Sequence, residues 1–231
     1  MADKLTEMII GAAIEVHKIL GPGLLESIYE EAMCHELALR GLSVKRQVEI
    51  DVIYKGKVIK GQRLDILVNN AGISGSAAKD LDDTELWNTL MEINSTGPFF
   101  GIKYCAPAML RAGGGAIVNV SSISGIIGQG FIHPGYNASK GSIRLLTKQA
   151  ASRFGGDNIR VNSVHPGLMP PMRTSGKTAD PAVRAEMLKR VPLGRSGEVW
   201  EVAKATLFLC SDEASYITGA ELHVDGGHCA V

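Results

Sequence analysis

Ala116-Ile117-Val118-Asn119-Val120-Ser121-Ser122 is an apolar run that ends in two hydroxyls. So continuous an apolar stretch suits a strand covered on both faces, and strands of that kind belong to parallel sheets flanked by helices. The neighbouring segments repeat the pattern. Downstream, helical periodicity over 136–154 leads to a second buried strand over 159–164, helices over 181–190 and 198–209, and a last strand over 221–224. Upstream, helices over 84–94 and 97–112 follow the apolar run Leu64-Asp65-Ile66-Leu67-Val68. Strand and helix in alternation predict a parallel α/β sheet with helices on both faces. Such sheets place their sites at the carboxyl ends of strands, where Ser122 stands.

The first 63 residues differ. Leu5, Met8, Ile9, Ala12, Ala13, Val16, Ile19 and Leu20 recur at helical spacing until Gly21-Pro22-Gly23 stops them, and a second helix spans 24–40 with Gly41 at its cap position. An αα-hairpin is predicted. The alternation of Val48, Ile50, Val52 and Tyr54, the turn Lys55-Gly56-Lys57 and the extended 58–68 then predict a β-hairpin. Its 47–54 arm, paired antiparallel with 58–68, would extend the sheet and cover its edge. The predicted division is an αα-ββ segment over 1–63 and an α/β unit over 64–231.

Composition narrows the function classes. Lys plus Arg is 24 and Asp plus Glu is 24, so no net positive field gathers phosphate backbones or anionic lipid, and neither nucleic acid nor a membrane is expected as partner. The first 63 residues balance by themselves, with nine basic and nine acidic side chains. Cys34, Cys105, Cys210 and Cys229 form no C-x-x-C pair, so no metal and no disulfide framework is expected, and reduced thiols fit a cytoplasmic protein. No stretch approaches the roughly 20 apolar residues of a membrane span.

Tyr136-Asn137-Ala138-Ser139-Lys140 carries the chemistry. On a helix the phenol and the ammonium share one face. A free Tyr, with a pKa near ~10, is protonated at neutral pH, and a neighbouring cation stabilises the phenolate, so that the phenol can exchange a proton with a substrate oxygen. Alone the spacing is common on exposed helices. It stands, however, with Ser122, with Leu67-Val68-Asn69-Asn70-Ala71-Gly72, with Glu92-Ile93-Asn94-Ser95-Thr96-Gly97, with IRVNSVHPG over 159–167 and with TGAELHVDGG over 218–227.

In that order and spacing these motifs resemble the short-chain dehydrogenases/reductases over 64–231. The resemblance implies a truncated Rossmann-like sheet and hydride transfer between NAD or NADP and a secondary alcohol or ketone. Tyr136 would be the general acid/base, Lys140 would lower its pKa and hold the nicotinamide ribose, Ser122 would hydrogen-bond the substrate oxygen, and Asn94 would bend its helix and hold a water. Asn70, Ala71 and Gly72 would line the adenosine side of the cofactor, Pro166 and Gly167 the nicotinamide side. A homo-oligomer, formed through the helices at 97–112 and 136–154, is also expected. His133 and His165 have no placed acid partner and are assigned no chemistry. Leu168-Met169-Pro170-Pro171-Met172 departs from the family pattern, which has a Thr soon after Pro-Gly.

A second departure is larger. Nothing before Leu64 forms the G-x-x-x-G-x-G turn that receives the pyrophosphate at a helix N-terminus. Gly23-Leu24-Leu25-Glu26-Ser27-Ile28-Tyr29, Arg40-Gly41-Leu42, Tyr54-Lys55-Gly56 and Arg63-Leu64-Asp65 are instead similar to the G-x-x-E-x-x-Y proteins of the PD-(D/E)XK nuclease-like superfamily. That likeness makes Glu26 and Asp65 candidate metal acids, yet no E-x-K follows anywhere in the sequence. Three readings follow: an NAD(P)-linked oxidoreductase, a fused or truncated chain that folds but binds cofactor poorly, and a metal-dependent nuclease-like protein.

Overall fold

The computed structural model of the chain describes residues 8, 12, 15–16, 26–42, 64–75, 83–171 and 175–230. Of the helix expected over 5–20, Met8, Ala12, Glu15 and Val16 are described, each helical. Of the hairpin expected over 44–68, residues 44–63 lie outside the described residues, and Ile66–Val68 of its second arm are strand. Helix α1 (Glu26–Leu39) is followed by Gly41, whose φ of +76° closes the helix in the left-handed conformation that glycine adopts at low cost.

Among the described residues four strands, β1 (Ile66–Asn69), β2 (Gly115–Val120), β3 (Ile159–Pro166) and β4 (Glu221–Val224), form one parallel sheet in the order β1-β2-β3-β4. Between β1 and β2 run α2 (Thr84–Met91), a π-helical turn (Glu92–Thr96) and α3 (Gly97–Ala112). Helix α4 (Pro134–Phe154) crosses from β2 to β3, and α5 (Pro181–Leu188) and α6 (Val199–Cys210) from β3 to β4. The expected strand over 159–164 continues to Pro166 because Pro166 still pairs with Val224. The two helices expected over 84–94 and 97–112 are one rod, joined without a break by the π turn.

Alternation along the strands sorts the core into two layers. Ile117, Ile159 and Val161 face α3 and α4 and pack with Ile102, Met109, Ala150 and Ala151; Ala116, Val118 and Val164 face α6 and pack with Leu209 and Cys210. A polar chain threads the first layer. Asn69 Nδ2 donates to Asn119 Oδ1 (2.7 Å), and Asn119 Nδ2 donates to Thr147 Oγ1 (2.9 Å), so β1, β2 and α4 are tied through groups that burial would otherwise leave costly.

Charges anchor the remaining elements. The Arg160 guanidinium on β3 donates to the carbonyls of Leu209 (2.6 Å), Cys210 (3.3 Å) and Ser211 (2.9 Å), satisfying the open end of α6. Glu221 on β4 binds Arg144 (2.7 Å) and Lys148 (2.6 Å) of α4. Among the described residues no helix is long and apolar enough to cross a membrane.

Ile117 has no exposed surface and sits at the centre of the α3/α4 layer. Ile117→Ala is expected to cost about 2–5 kcal/mol of stability through lost burial and the cavity left behind. Urea unfolding followed by circular dichroism measures it as a lower midpoint at unchanged slope.

Candidate active site

The carboxyl ends of β1, β2 and β3 lie side by side because the sheet is parallel, and the helix α4 starts above them. After β2 the chain turns at Ser121 and Ser122 into a single 3-10 turn over Ile123–Gly125, with the backbone N–H of Ser124 donating to Ser122 Oγ (3.1 Å). That turn is pressed onto α4. A Cβ on Gly125 would lie 2.6 Å from the Lys140 carbonyl oxygen, so only glycine permits the approach. Ser121 Oγ donates to the same carbonyl (2.8 Å), and Asn137 Nδ2 donates to the carbonyls of Ser124 (2.7 Å) and Ile127 (2.9 Å).

This seating brings the expected catalytic group together. The Tyr136 phenol is hydrogen-bonded to the Ser122 side chain. Lys140, 5% exposed, extends its Nζ to the Val120 carbonyl (3.0 Å), 6.0 Å from the Tyr136 ring centroid. Asn94 is fully buried in the π turn. Its Oδ1 accepts from the Ile73 N–H (2.8 Å), and its Nδ2 donates to the Ile73 carbonyl (2.9 Å) and to Ser139 Oγ (3.2 Å). The widened turn therefore aims an amide at the loop after β1, a common use of π turns. In that loop Gly72 faces the cluster: a Cβ there would stand 3.1 Å from Asn94 Oδ1 and 3.3 Å from Lys140 Nζ.

Other expected residues stand further out. Asn70 and Ala71 are exposed at the carboxyl end of β1. Pro166 and Gly167 end β3, where Gly167 has a packing task of its own, since a Cβ would lie 2.6 Å from Asp225 Cα.

The electrostatics differ from the sequence expectation in one respect. The Lys140 charge was expected to lower the Tyr136 pKa, but in the protein alone burial pushes the phenol above its usual value, with the Ser122 hydrogen bond pulling the other way. Burial likewise brings Lys140 down to about 8. Both groups are drawn toward their neutral forms by the same loss of water.

His165 is the residue that sequence reasoning passed over. It is fully buried, its Nδ1 lies 3.2 Å from the Ser122 carbonyl and its Nε2 2.9 Å from Ser163 Oγ. The carbonyl can only accept, so Nδ1 carries the proton and Nε2 accepts from the Ser163 hydroxyl. Burial holds the ring pKa at about 4, so this neutral tautomer persists and fixes the backbone beside Ser122. Its signal was parity: Ile159, Val161, Ser163 and His165 share one face of β3.

Comparisons with known proteins give the family and the fold. The family model described as "Enoyl-(Acyl carrier protein) reductase" matches residues 22–228. The chain is 44% identical over 172 residues to the trans-4-hydroxycyclohexanecarboxylate dehydrogenase of Sinomonas cyclohexanicum, covering 72% of this chain and 61% of that one. It is 45% identical over 176 residues to the cyclopentanol dehydrogenase of Comamonas testosteroni, covering 74% and 68%. The chain thus spans under two thirds of the first relative's length and just over two thirds of the second's. A crystal structure of a gluconate 5-dehydrogenase from Burkholderia cenocepacia, in complex with NADP and tartrate, superposes with a TM-score of 0.69 at 34% identity, covering 73% of this chain and 66% of that one. The family match begins well inside the first 63 residues, and neither the nuclease-like likeness nor a fusion finds support.

Lys140 gives the site a pH signature. Its folded pKa, about 8, lies below the ordinary 10.5. Between those values the unfolded chain binds more protons, so stability rises with pH across the window, and below it the buried charge costs on the order of 3 kcal/mol. Lys140→Met is expected to gain stability over wild type at pH 7 and to lose that advantage by pH 10. Urea melts at both pH values check it; a pH-independent difference contradicts it.

Proposed function

The chain belongs to the short-chain dehydrogenase/reductase family, and on that premise we propose that it is an NAD- or NADP-dependent oxidoreductase that transfers hydride to or from a secondary alcohol or ketone. The observation that carries the reading is the joining of Ser122, Tyr136, Lys140 and Asn94 at the carboxyl end of β2. Relatives named for cyclopentanol and a hydroxycyclohexane carboxylate support an alicyclic alcohol as the substrate class. The NADP of the gluconate dehydrogenase supports the cofactor class.

The residues fit the nicotinamide end of such a cofactor. Gly72 leaves open the space that a Cβ would fill between Asn94 and Lys140, and Lys140 Nζ offers donors to a ribose diol there. Pro166 and Gly167 would wall the nicotinamide and Asn70 and Ala71 the adenosine side, whereas Gly72, expected with them, stands beside Asn94 and Lys140. When bound, the nicotinamide supplies or accepts the hydride. In reduction the Tyr136 phenol, kept neutral by burial, would give its proton to the carbonyl oxygen; in oxidation its phenolate would take the alcohol proton. Ser122 would hold the reacting oxygen beside Tyr136, and the Lys140 charge would stabilise the phenolate as it forms.

With no glycine-rich turn before Leu64, the pyrophosphate loses its usual helix N-terminus, and we propose cofactor binding weaker than in relatives that carry that turn. The division into an αα-ββ segment over 1–63 and a catalytic unit over 64–231 is part of the same proposal. So is a cytoplasmic location, which the four free cysteines suit. Self-association would use the outer faces of α3 and α4, where Phe99, Phe100, Tyr104 and Leu145 are exposed.

Titration with NADH and NADPH, followed by nicotinamide fluorescence, is expected to saturate by millimolar cofactor; no saturation refutes the assignment. Tyr136→Phe should reduce cofactor-dependent turnover about 10²–10⁴-fold, and unchanged turnover would show that the site lies elsewhere. Light scattering on the purified chain is expected to give a dimer or larger, shifted toward monomer in Phe100→Glu/Tyr104→Glu.

A further inference from the structure

The geometry points to a metal site outside the catalytic group: we propose that His223, Asp225 and Cys229, at the carboxyl end of β4, bind a divalent zinc-like cation. One ring nitrogen, one carboxylate oxygen and the thiol sulfur already lie within 4.8 Å of one another. Tetrahedral zinc with Zn–N and Zn–O near ~2.1 Å and Zn–S near ~2.3 Å sets its ligand atoms about 3.4–3.7 Å apart, so roughly 1 Å of side-chain closure completes the site. The donors are an imidazole, a carboxylate and a thiolate, the set that zinc takes from proteins.

Each donor is held differently. Asp225 is oriented by its own turn, with Oδ1 accepting from the Gly227 N–H (2.9 Å) and Oδ2 from the Cys229 N–H (2.8 Å), which leaves each oxygen lone-pair capacity for a cation. Those bonds place Cys229, on the 3-10 turn His228–Ala230, over the carboxylate, and the thiol is hydrogen-bonded to it. A cation takes the place of that thiol proton, which leaves to solvent. His223 is exposed, and its ring meets His165 edge-on at 5.4 Å between centroids, a contact that limits its orientation without using its nitrogens.

The fourth position faces water. His223 and Asp225 line a cleft of about 420 Å³ with Leu193, Arg195, Glu201 and Gly226. The cation in that cleft, Arg195, is already neutralised by a two-pronged pair with Glu201 (2.9 and 2.7 Å), so it opposes an incoming metal little. The spacing H-x-D-x-x-x-C matches no familiar finger or ribbon, because strand β4 and the following turn, rather than a knuckle, bring the donors together.

The test uses the metal alone, with no cofactor added. Titration of the reduced full chain with Co²⁺ alone is expected to give one equivalent of a complex with a thiolate-to-cobalt charge-transfer band, bleached by Zn²⁺. Cys229→Ser should abolish the band, although Cys34, Cys105 and Cys210 remain. His223→Gln, at an exposed position where folding is not in question, should weaken Co²⁺ binding at least tenfold, and Zn²⁺ should raise the Tm of wild type but not of Cys229→Ser. Absence of the band in wild type, its persistence in Cys229→Ser, or unchanged affinity in His223→Gln overturns the proposal.

Discussion

The seating of α4 on the end of β2 is the contact on which the rest depends. It has no apolar substitute: Gly125 meets the Lys140 carbonyl at a distance no side chain allows, Ser121 donates to that carbonyl, and Lys140 reaches back to Val120. Helix and strand end are therefore joined through both backbone and side chain of a single residue. Tyr136, one turn earlier, is carried to Ser122 by the same fit, and Asn137 ties the turn after β2 down from the other side. Register along α4 thus sets how Tyr136, Lys140 and Ser122 stand to one another.

Polar groups elsewhere in the interior follow the same economy. Asn69, Asn119 and Thr147 form one chain, Asn94 saturates its amide on Ile73 and Ser139, and His165 bridges Ser122 to Ser163. In a medium that strengthens hydrogen bonds and penalises orphaned groups, such networks admit few alternative packings. They run along the carboxyl ends of the strands and stiffen the part of the sheet where the proposed proton transfer would need precise placement.

Water exclusion also sets the charge state. Tyr136 and Lys140 are both shifted toward neutrality by burial, which suits a phenol that begins as a proton donor. In the proposed reaction the ammonium would oppose this only once a phenolate develops, so its effect would grow along the reaction coordinate, as transition-state stabilisation requires. A neutral His165 beside Ser122 adds orientation without adding charge.

The sequence by itself determined the parallel sheet, most element bounds and the Tyr136–Lys140 pair, because burial on both faces, helical period and i, i+4 spacing are local properties. It also marked Ser122, through a strand end, and Asn94, through the resemblance of its motif to the family's. Only the tertiary structure decided that Gly72 would approach both Asn94 and Lys140, that His165 would reach the Ser122 carbonyl, and that burial would outweigh the ammonium at Tyr136. The same is true of His223, which β3–β4 register sets opposite His165 and the turn brings beside Asp225 and Cys229. The physical reason is common to all four: each depends on which residues of separate crossovers become neighbours and how much water they exclude, and no periodicity within one segment encodes either.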